Sequence, residues 1–241
     1  MGLFKILPKK VKNYFEKKLR IPKNVYQNVY QNVHTYIKIN EYHSGKFDLY
    51  HNKFCLKDFH LNQNNQETRF RNYINSKYAE FAIRNNSIGN FLSIGISYGT
   101  SLKIITHLLD EKVSNIKYFL IDNYQNVGGT NYNNNIDNVK NDLNDIKNFK
   151  FNFVEDLLNQ SSLDKVDDNL IFTHLNTGNY KVEFEFLPQI INKTKTNGVI
   201  IIDNYGFFNE VEINNIDEFI SKNTNLFKIV LPSSQCVIIK S

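Results

Sequence analysis

The stretch "SIGISYGTSL", residues 93–102, decides the fold because an apolar run enters it and an amphipathic segment leaves it. Gly95 and Gly99 bracket the turn, and glycine lets a backbone approach a ligand closely where a helix begins. The spacing differs from the G-x-G-x-x-G of dinucleotide sites and from a phosphate loop that ends in Gly-Lys-Ser/Thr. The pattern therefore indicates a strand–turn–helix unit, with either a ligand-binding glycine loop or an ordinary tight turn.

Helical periodicity dominates the segment before this turn. Residues 65–86 predict one helix, and we expect its apolar face to consist of Phe70, Tyr73, Ile74, Tyr78, Phe81 and Ala82. After the turn, apolar runs of strand length recur with helix-like segments between them. These strands are predicted at 91–96, 117–122, 149–156, 169–176 and 198–203.

The C-terminal third contains one ambiguous segment and a closing hairpin. Residues 180–194 alternate like a strand but have the length of a helix, and the flanking strands favour the helix. Residues 227–241 predict an antiparallel hairpin. Strands that alternate with helices predict an α/β fold with a mostly parallel sheet, helices on both faces and this hairpin at one edge.

Acids end two of the predicted strands. Asp122 closes "YFLIDNY", where a carboxylate can accept both hydroxyls of an adenosine ribose. Glu155 and Asp156 close "FVED" and can meet an adenine amino group. Each acid alone is equally consistent with a loop cap, but the glycine loop followed by these acids has the order of parts of an adenosine site.

Polar residues also follow the next two strands, in "LIFTHLNTGNY" (170–180) and "GVIIIDNYGFF" (198–208). If those strands are neighbours, Asn176, Asp203 and Asn204 bring three oxygen-bearing groups together, which suits a hard cation. Asn204 alone is also a common turn residue. His174 is either a hydrogen-bonded core histidine or a catalytic base. We therefore predict His174, Asn176 and Asp203 as catalytic candidates, and Asn176, Asp203 and Asn204 as metal ligands.

Composition limits the function classes. The chain has 241 residues, of which 41% are hydrophobic, enough for one α/β domain with an appendage. Cys55 and Cys236 are too few for a disulfide framework and are expected to be reduced. No apolar run approaches the roughly 20 residues of a membrane span. We expect a cytoplasmic protein.

The formal net charge of +5 is concentrated at the N-terminus. The basic residues there are Lys5, Lys9, Lys10, Lys12, Lys17, Lys18, Arg20 and Lys23. Residues 9–20 predict a basic amphipathic helix, which either contacts an anionic membrane surface or acidic partner, or docks on its own domain. Basic residues mixed with exposed aromatics are not evident elsewhere, which argues against nucleic acid. We divide the chain into a helical N-terminal extension, 1–62, and an α/β domain, 63–241.

The run from about residue 66 onward resembles the class I S-adenosylmethionine-dependent methyltransferases, which have a Rossmann-like sheet. More narrowly, it resembles the macrocin O-methyltransferase family, whose members methylate sugar hydroxyls. The resemblance lies in "GNFLSIGISYGTS", "IDNYQNVGG", "VEDLLNQ", "HLNTGNY", "TNGVIIIDNYG" and "SQCVIIKS", in that order. It implies that S-adenosylmethionine is bound by Gly95, Gly99, Ser101, Asp122 and Asp156. It also implies a magnesium site at Asp203 and Asn204.

Several positions depart from the family pattern. Ser93, a further cofactor-binding candidate, replaces an acid at the start of the glycine loop. Asn176 and Gly178 replace the family's Asp-x-Asp, and Asn204 stands where the sugar methyltransferases often have Asp. With Asp203 as the one carboxylate, a magnesium site should be weak.

Three functions follow from these residues. The first is an O-methyltransferase that acts on a sugar or glycan hydroxyl, with His174 or Asp203 as the base that the acceptor requires. The second is a catalytically degenerate scaffold that kept the sheet and lost the chemistry. The third, which the glycine spacing disfavours, is a nicotinamide-dependent oxidoreductase. By analogy with the family, the protein is also expected to be a homo-oligomer.

Overall fold

The computed structural model of the protein describes residues 66–97, 99–124, 136–231 and 233–241. The predicted basic helix, the boundary at residue 62 and Cys55 lie outside these ranges. Within them, no helix is both long and apolar enough to cross a bilayer. Cys236 is a buried free thiol, and burial raises its pKa to about 12, as expected for a reduced cysteine without a reactive role.

Seven strands form one sheet in the described part of the chain. They are β1 (Asn90–Ile94), β2 (Ile116–Asp122), β3 (Phe149–Glu155), β4 (Leu170–Leu175), β5 (Thr194–Ile202), β6 (Leu226–Val230) and β7 (Cys236–Lys240). Their spatial order is β3-β2-β1-β4-β5-β7-β6. Strands β1 to β5 are parallel, and β7 runs antiparallel between β5 and β6. The predicted mostly parallel sheet with a C-terminal antiparallel hairpin is confirmed.

Helices cover both faces of this sheet. They are α1 (Gln66–Asn85), α2 (Thr100–Leu109), α3 (Ile136–Asp142), α4 (Gln160–Asp164), α5 (Tyr180–Lys193) and α6 (Glu210–Ser221). Because side chains alternate along a strand, Leu92 and Ile94 of β1 pack with α5 and α6, whereas Phe91 packs with α1 and α2. The ambiguous segment is a helix, as predicted, and the Asn179 side chain caps it by accepting from the backbone N–H of Val182.

The predicted apolar face of α1 was wrong in part. Phe81 is 39% exposed, and the buried side of the helix includes Asn72, Asn75 and Ser76 beside Ala79. Helix α1 packs against α2, β4 and β5. Asn75 bonds side chains of α2, of β4 and of the segment before β7, so hydrogen bonding as well as the burial of Ala79 and Ala82 positions the helix.

Candidate functional site

A cavity of about 200 Å³ lies at the carboxyl ends of β1 and β4, where the strand order reverses. Crevices at this switch point are where open α/β sheets bind ligands. Three groups of residues line the cavity: the buried side of α1, the loop between β1 and α2, and the residues at the ends of β4 and β5. Ser93 and His174 are register partners on the two central strands.

The glycine loop is folded around the Asp122 carboxylate. Gly95 and Gly99 both have positive φ, at 76° and 72°. Asp122 Oδ2 accepts hydrogen bonds from the backbone N–H of Ile96 at 2.6 Å and of Ser97 at 3.0 Å. Its Oδ1 accepts from the backbone N–H of Tyr124 at 2.8 Å. A carboxylate has about four acceptor positions, so Asp122 keeps about one for a ligand.

The start of α2 presents polar groups that lack partners among the described residues. Gly99 precedes the helix and gives it no side-chain cap, so the first N–H groups are not capped by a side chain. Thr100 Oγ1 and Asn72 Nδ2 are buried, line the cavity, and have no hydrogen-bond partner in the described part of the chain. Buried polar atoms without partners are costly, which favours a polar ligand group at this point. Together with the helix N-terminus, they fit the carboxylate end of an amino acid.

Asp203 is the most heavily bonded group at the other end of the cavity. Its Oδ1 accepts from Gln235 Nε2 at 2.5 Å and lies 3.3 Å from His174 Nε2, while its Oδ2 lies 3.3 Å from Arg71 Nη1. Burial acts to raise the pKa of Asp203. The His174 hydrogen bond and charge, the Arg71 charge and the Gln235 hydrogen bond outweigh it and lower that pKa to about 2. Asp203 is therefore an anion at neutral pH.

His174 lies between a donor and an acceptor. It is 4% exposed, and its Nε2 is 3.2 Å from Asn75 Nδ2 and 3.3 Å from Asp203 Oδ1. Neutral imidazole with a bare Nε2 accepts from Asn75, whereas an Nε2–H donates to Asp203. Asn75 is itself fixed, since it donates to Ser101 Oγ at 2.9 Å and accepts from Gln235 Nε2 at 2.9 Å. The site thus accommodates His174 with or without a proton on Nε2.

The predicted magnesium ligands do not fit a hard cation in this arrangement. Asn204 Nδ2 donates to Asn176 Oδ1 at 2.8 Å, so the two amides bond each other. Both oxygens of Asp203 already have cationic or N–H neighbours, and Arg71 lies on the second one. Among the described residues, no group of three His, Cys, Asp or Glu side chains could hold a metal. Magnesium is therefore not supported at Asn176, Asp203 and Asn204.

The structure assigns the remaining candidates to two places. Ser93, Gly95, Ser101, His174, Asn176 and Asp203 line the cavity. Ser93 Oγ is 2.8 Å from the Tyr118 hydroxyl, so the serine that replaces the family's acid has a buried partner. Asp156 lies further along the same sheet edge, beside Asp122, where Asn159 Nδ2 and the Leu157 N–H lower its pKa by hydrogen bonding.

Five residues whose polar side chains matter for the arguments above are among those that sequence reasoning missed. They are Arg71, Asn72, Asn75, Thr100 and Gln235. A signal did exist for the first three, because a stripe of polar residues at helical spacing runs along a helix that must pack on the sheet. Gln235 stands in the quoted stretch "SQCVIIKS", but only the fold shows that it reaches Asp203.

Known proteins resemble this chain in structure rather than in sequence. No family model matches it, and no curated protein matches it. The O-methyltransferase NovP is similar over 71% of this chain and 79% of its own, with a TM-score of 0.55 and 18% sequence identity. The SAH-bound Podospora anserina methyltransferase PaMTH1 is similar over 100% of both chains, with a TM-score of 0.50 and 11% identity. The chain has the Rossmann-like fold of the class I methyltransferases.

Proposed function

We propose that this protein is an S-adenosylmethionine-dependent O-methyltransferase that acts on a sugar or glycan hydroxyl. One observation carries the proposal: a single cavity joins the glycine loop, and the Asn72 and Thr100 donors that have no partner among the described residues, to the His174–Asp203 pair. The methyltransferase fold supports it, as do two similar structures, the O-methyltransferase NovP and the SAH-bound methyltransferase PaMTH1. The sugar acceptor rests on the sequence resemblance to the macrocin O-methyltransferases.

The cofactor would lie along the carboxyl edge of β1 and β2. S-adenosylmethionine supplies a methyl group activated by a sulfonium centre. Asn72, Thr100 and the first N–H groups of α2 would bind its amino-acid carboxylate. The remaining acceptor position of Asp122 would take a ribose hydroxyl, and Asp156 would lie near the adenine.

His174 suits the role of base better than Asp203. A carboxylate with a pKa of about 2 binds protons weakly at neutral pH. The His174 imidazole instead has Asp203 at 3.3 Å to stabilise the cation that forms when it takes a proton. We therefore propose that His174 accepts the hydroxyl proton and that Asp203 orients and stabilises it.

A specific observation also favours the degenerate scaffold. The Asn176–Asn204 amide pair occupies the place where a carboxylate would be expected, and Asp203 is engaged by three side chains. In such a scaffold these bonds would serve stability alone. It would bind the cofactor without turnover.

The cellular context is proposed from the sequence alone. We propose a cytoplasmic protein whose residues 1–20 contact the inner face of the membrane, close to a lipid-linked glycan acceptor. A homo-oligomer is proposed by analogy with the family, and nucleic acid is not a proposed partner.

Calorimetric titration of S-adenosylmethionine and SAH tests the cofactor proposal. We expect micromolar binding by the natural chain and about tenfold weaker binding by Thr100→Val, which loses a donor to a charged group. Thr196→Val, at an exposed position in β5, is the matched control and should bind normally. No binding by the natural chain would reject the enzyme, whereas binding without transfer to any sugar acceptor would favour the scaffold.

A further inference from the structure

The Arg71 guanidinium lies where the sequence predicted a metal ion. Three separate segments fix its position: Nη1 is 3.3 Å from Asp203 Oδ2, Nε donates to the Ser233 carbonyl at 3.0 Å, and the guanidinium carbon lies 5.2 Å from the centroid of the Phe207 ring. Arg71 also lines the cavity beside Asn176 and His174. A permanent positive charge therefore faces the space that the acceptor would enter.

This charge and a divalent cation are alternatives at the same carboxylate. Magnesium requires near-octahedral oxygen ligands at about 2.0–2.1 Å. Here one oxygen of Asp203 accepts from Gln235, the other faces Arg71, and the Asn176 oxygen is taken by Asn204. The ion pair is sheltered, since the Arg71 and Asp203 side chains are 13% and 9% exposed. An entering cation would meet a buried positive charge that cannot be deprotonated.

We propose that Arg71 replaces the divalent cation at this site, so that the protein needs no metal and the acceptor oxygen is oriented by the guanidinium. The role toward the acceptor rests on the proposed methyltransferase function. The replacement of the metal does not, because it follows from the contacts of Asp203. The loss of carboxylates in "HLNTGNY" and "DNYG" then has a physical reason, since a site with a resident cation needs fewer anions to remain near neutral.

The first experiment uses Mn²⁺ alone as the probe and needs no activity. Electron paramagnetic resonance measures free Mn²⁺ titrated with the full-length protein. We expect no binding by the natural chain at about 1 mM Mn²⁺, a concentration that would fill even a weak site of oxygen ligands. Arg71→Ala should expose Asp203 and gain Mn²⁺ binding, and the added substitution Asp203→Asn should remove it. Arg84→Ala, in the same helix but paired with Glu80 on the surface, is the matched control and should gain nothing.

Two outcomes of the Mn²⁺ titration would overturn the proposal. Mn²⁺ binding by the natural chain that is lost in Asp203→Asn would show that the metal and Arg71 coexist. No binding by either the natural chain or a folded Arg71→Ala would show that the carboxylate is not a cation site. Circular dichroism establishes that the variant is folded, and Arg71→Gln, which removes the charge but keeps a longer polar side chain, serves if it is not.

The second experiment tests the acceptor role by chemical rescue. We expect Arg71→Ala to lose at least about 100-fold in kcat with S-adenosylmethionine affinity within about threefold, as for the loss of one preorganised charge. Guanidinium ion at millimolar concentration should restore part of that activity, which a merely structural role would not allow. Absence of rescue would overturn the acceptor role. Absence of activity in the natural chain would instead reject the proposed function and leave the Mn²⁺ result standing.

Discussion

Two carboxylates on either side of the switch point, Asp122 and Asp203, are held in opposite ways. Asp122 accepts three hydrogen bonds, all from backbone N–H groups of the adjacent glycine loop and of its own turn. Asp203 is surrounded by side chains from α1, β4 and the segment before β7, namely those of Arg71, His174 and Gln235. The proposed cofactor half of the site, around Asp122, is therefore built by backbone geometry, and the proposed acceptor half, around Asp203, by remote side chains.

This difference determines where substitutions should matter. Backbone donors persist whichever side chains the loop carries, as long as its glycines allow the conformation. Side-chain partners vanish one at a time, and each loss leaves a buried charge or polar atom behind. We expect the largest loss of stability for substitutions of Asp203 and intermediate losses for those of the glycines. Substitutions of Asp122 and Glu183, each a single hydrogen-bond acceptor, should affect the stability of the fold less.

Asp203→Ala should have the largest effect on stability. It leaves the half-buried Arg71 charge without this carboxylate, so the loss should approach the roughly 3–5 kcal/mol that breaking a fully buried pair costs. Urea unfolding at pH 7 measures this change. Asp203→Asn is the control that retains shape and some hydrogen bonding, and it should lose less. If Asp203→Ala lowers the free energy of unfolding by less than about 1 kcal/mol, the side chains around Asp203 do not hold the proposed acceptor half together.

Acid titration gives an independent measure of the same carboxylate. The folded-state pKa of about 2 is below the ordinary Asp value of about 3.9, so this contribution to stability is present above pH 4 and is lost as the pH falls toward 2. This difference between the two pKa values corresponds to about 2–3 kcal/mol in the free energy of unfolding. We expect the stability gap between the natural chain and Asp203→Asn to shrink over that interval.

Gly95→Ala and Gly99→Ala form a matched pair within the cofactor half. Both glycines have positive φ, so both alanines carry backbone strain of about 1–3 kcal/mol. A Cβ at Gly95 would lie 2.3 Å from the Asn176 carbonyl oxygen, whereas one at Gly99 would meet Val139 at an ordinary 3.6 Å. We expect the free energy of unfolding, measured in urea, to fall by about 3 kcal/mol in Gly95→Ala and by about 1 kcal/mol in Gly99→Ala.

The Gly95 result bears directly on the comparison between the two halves. Its close neighbour belongs to the loop after β4, so the substitution should also shift Asn176. Equal losses of stability in Gly95→Ala and Gly99→Ala would mean that the glycine loop does not pack tightly against the loop after β4.

Asp122→Ala should weaken the cofactor half more than it weakens the fold. The variant loses the acceptor of three loop N–H groups and the proposed ribose contact, so we expect S-adenosylmethionine to bind at least about tenfold more weakly. Calorimetric titration measures the change. Asp168→Asn, on the exposed surface near Lys193, is the control. Unchanged affinity would show that Asp122 serves the loop alone.

The comparison also explains which features the sequence allowed us to predict. Strand and helix positions and the hairpin follow from short-range patterns, because each is set by periodicity or by residues within one turn. Asp122 was found because it ends a predicted strand, although its donors Ile96 and Ser97 lie 26 and 25 positions away. Helix α5 is an example, since the strands flanking residues 180–194 outweighed the alternation within them.

Long-range side-chain contacts could not be predicted in this way. Arg71 and Asp203 are 132 positions apart, and Gln235 reaches Asp203 from the far end of the chain. The magnesium prediction is not supported for this reason: Asn176 and Asn204 bond each other, and Asp203 contacts Gln235, His174 and Arg71. The buried polar face of α1 was missed because its apolar residues were taken to define the packed side.

Glu183→Gln is expected to have the smallest effect and probes the link between the two halves. Glu183 is buried in α5, and its Oε1 accepts from the Thr177 backbone N–H at 2.8 Å and from Thr177 Oγ1 at 2.7 Å, which holds the loop after Asn176. Burial raises its pKa, and the Thr177 hydrogen bonds only partly oppose this.

Because the folded-state pKa is raised, the natural chain should be relatively more stable at low pH and lose that contribution as the pH rises through this pKa. A glutamine oxygen can accept the same hydrogen bonds without a buried charge. We therefore expect Glu183→Gln to unfold in urea with a stability equal to that of the natural chain or higher by up to about 1 kcal/mol at pH 8, with the gap closing as the pH falls toward the ordinary glutamate pKa. Glu185→Gln, at an exposed position of the same helix, should show neither change. A Glu183→Gln variant that is clearly less stable at pH 8 would mean that the loop carrying Asn176 depends on the charge of Glu183. The proposed acceptor half would then be held by two carboxylates, Glu183 and Asp203, rather than by Asp203 alone.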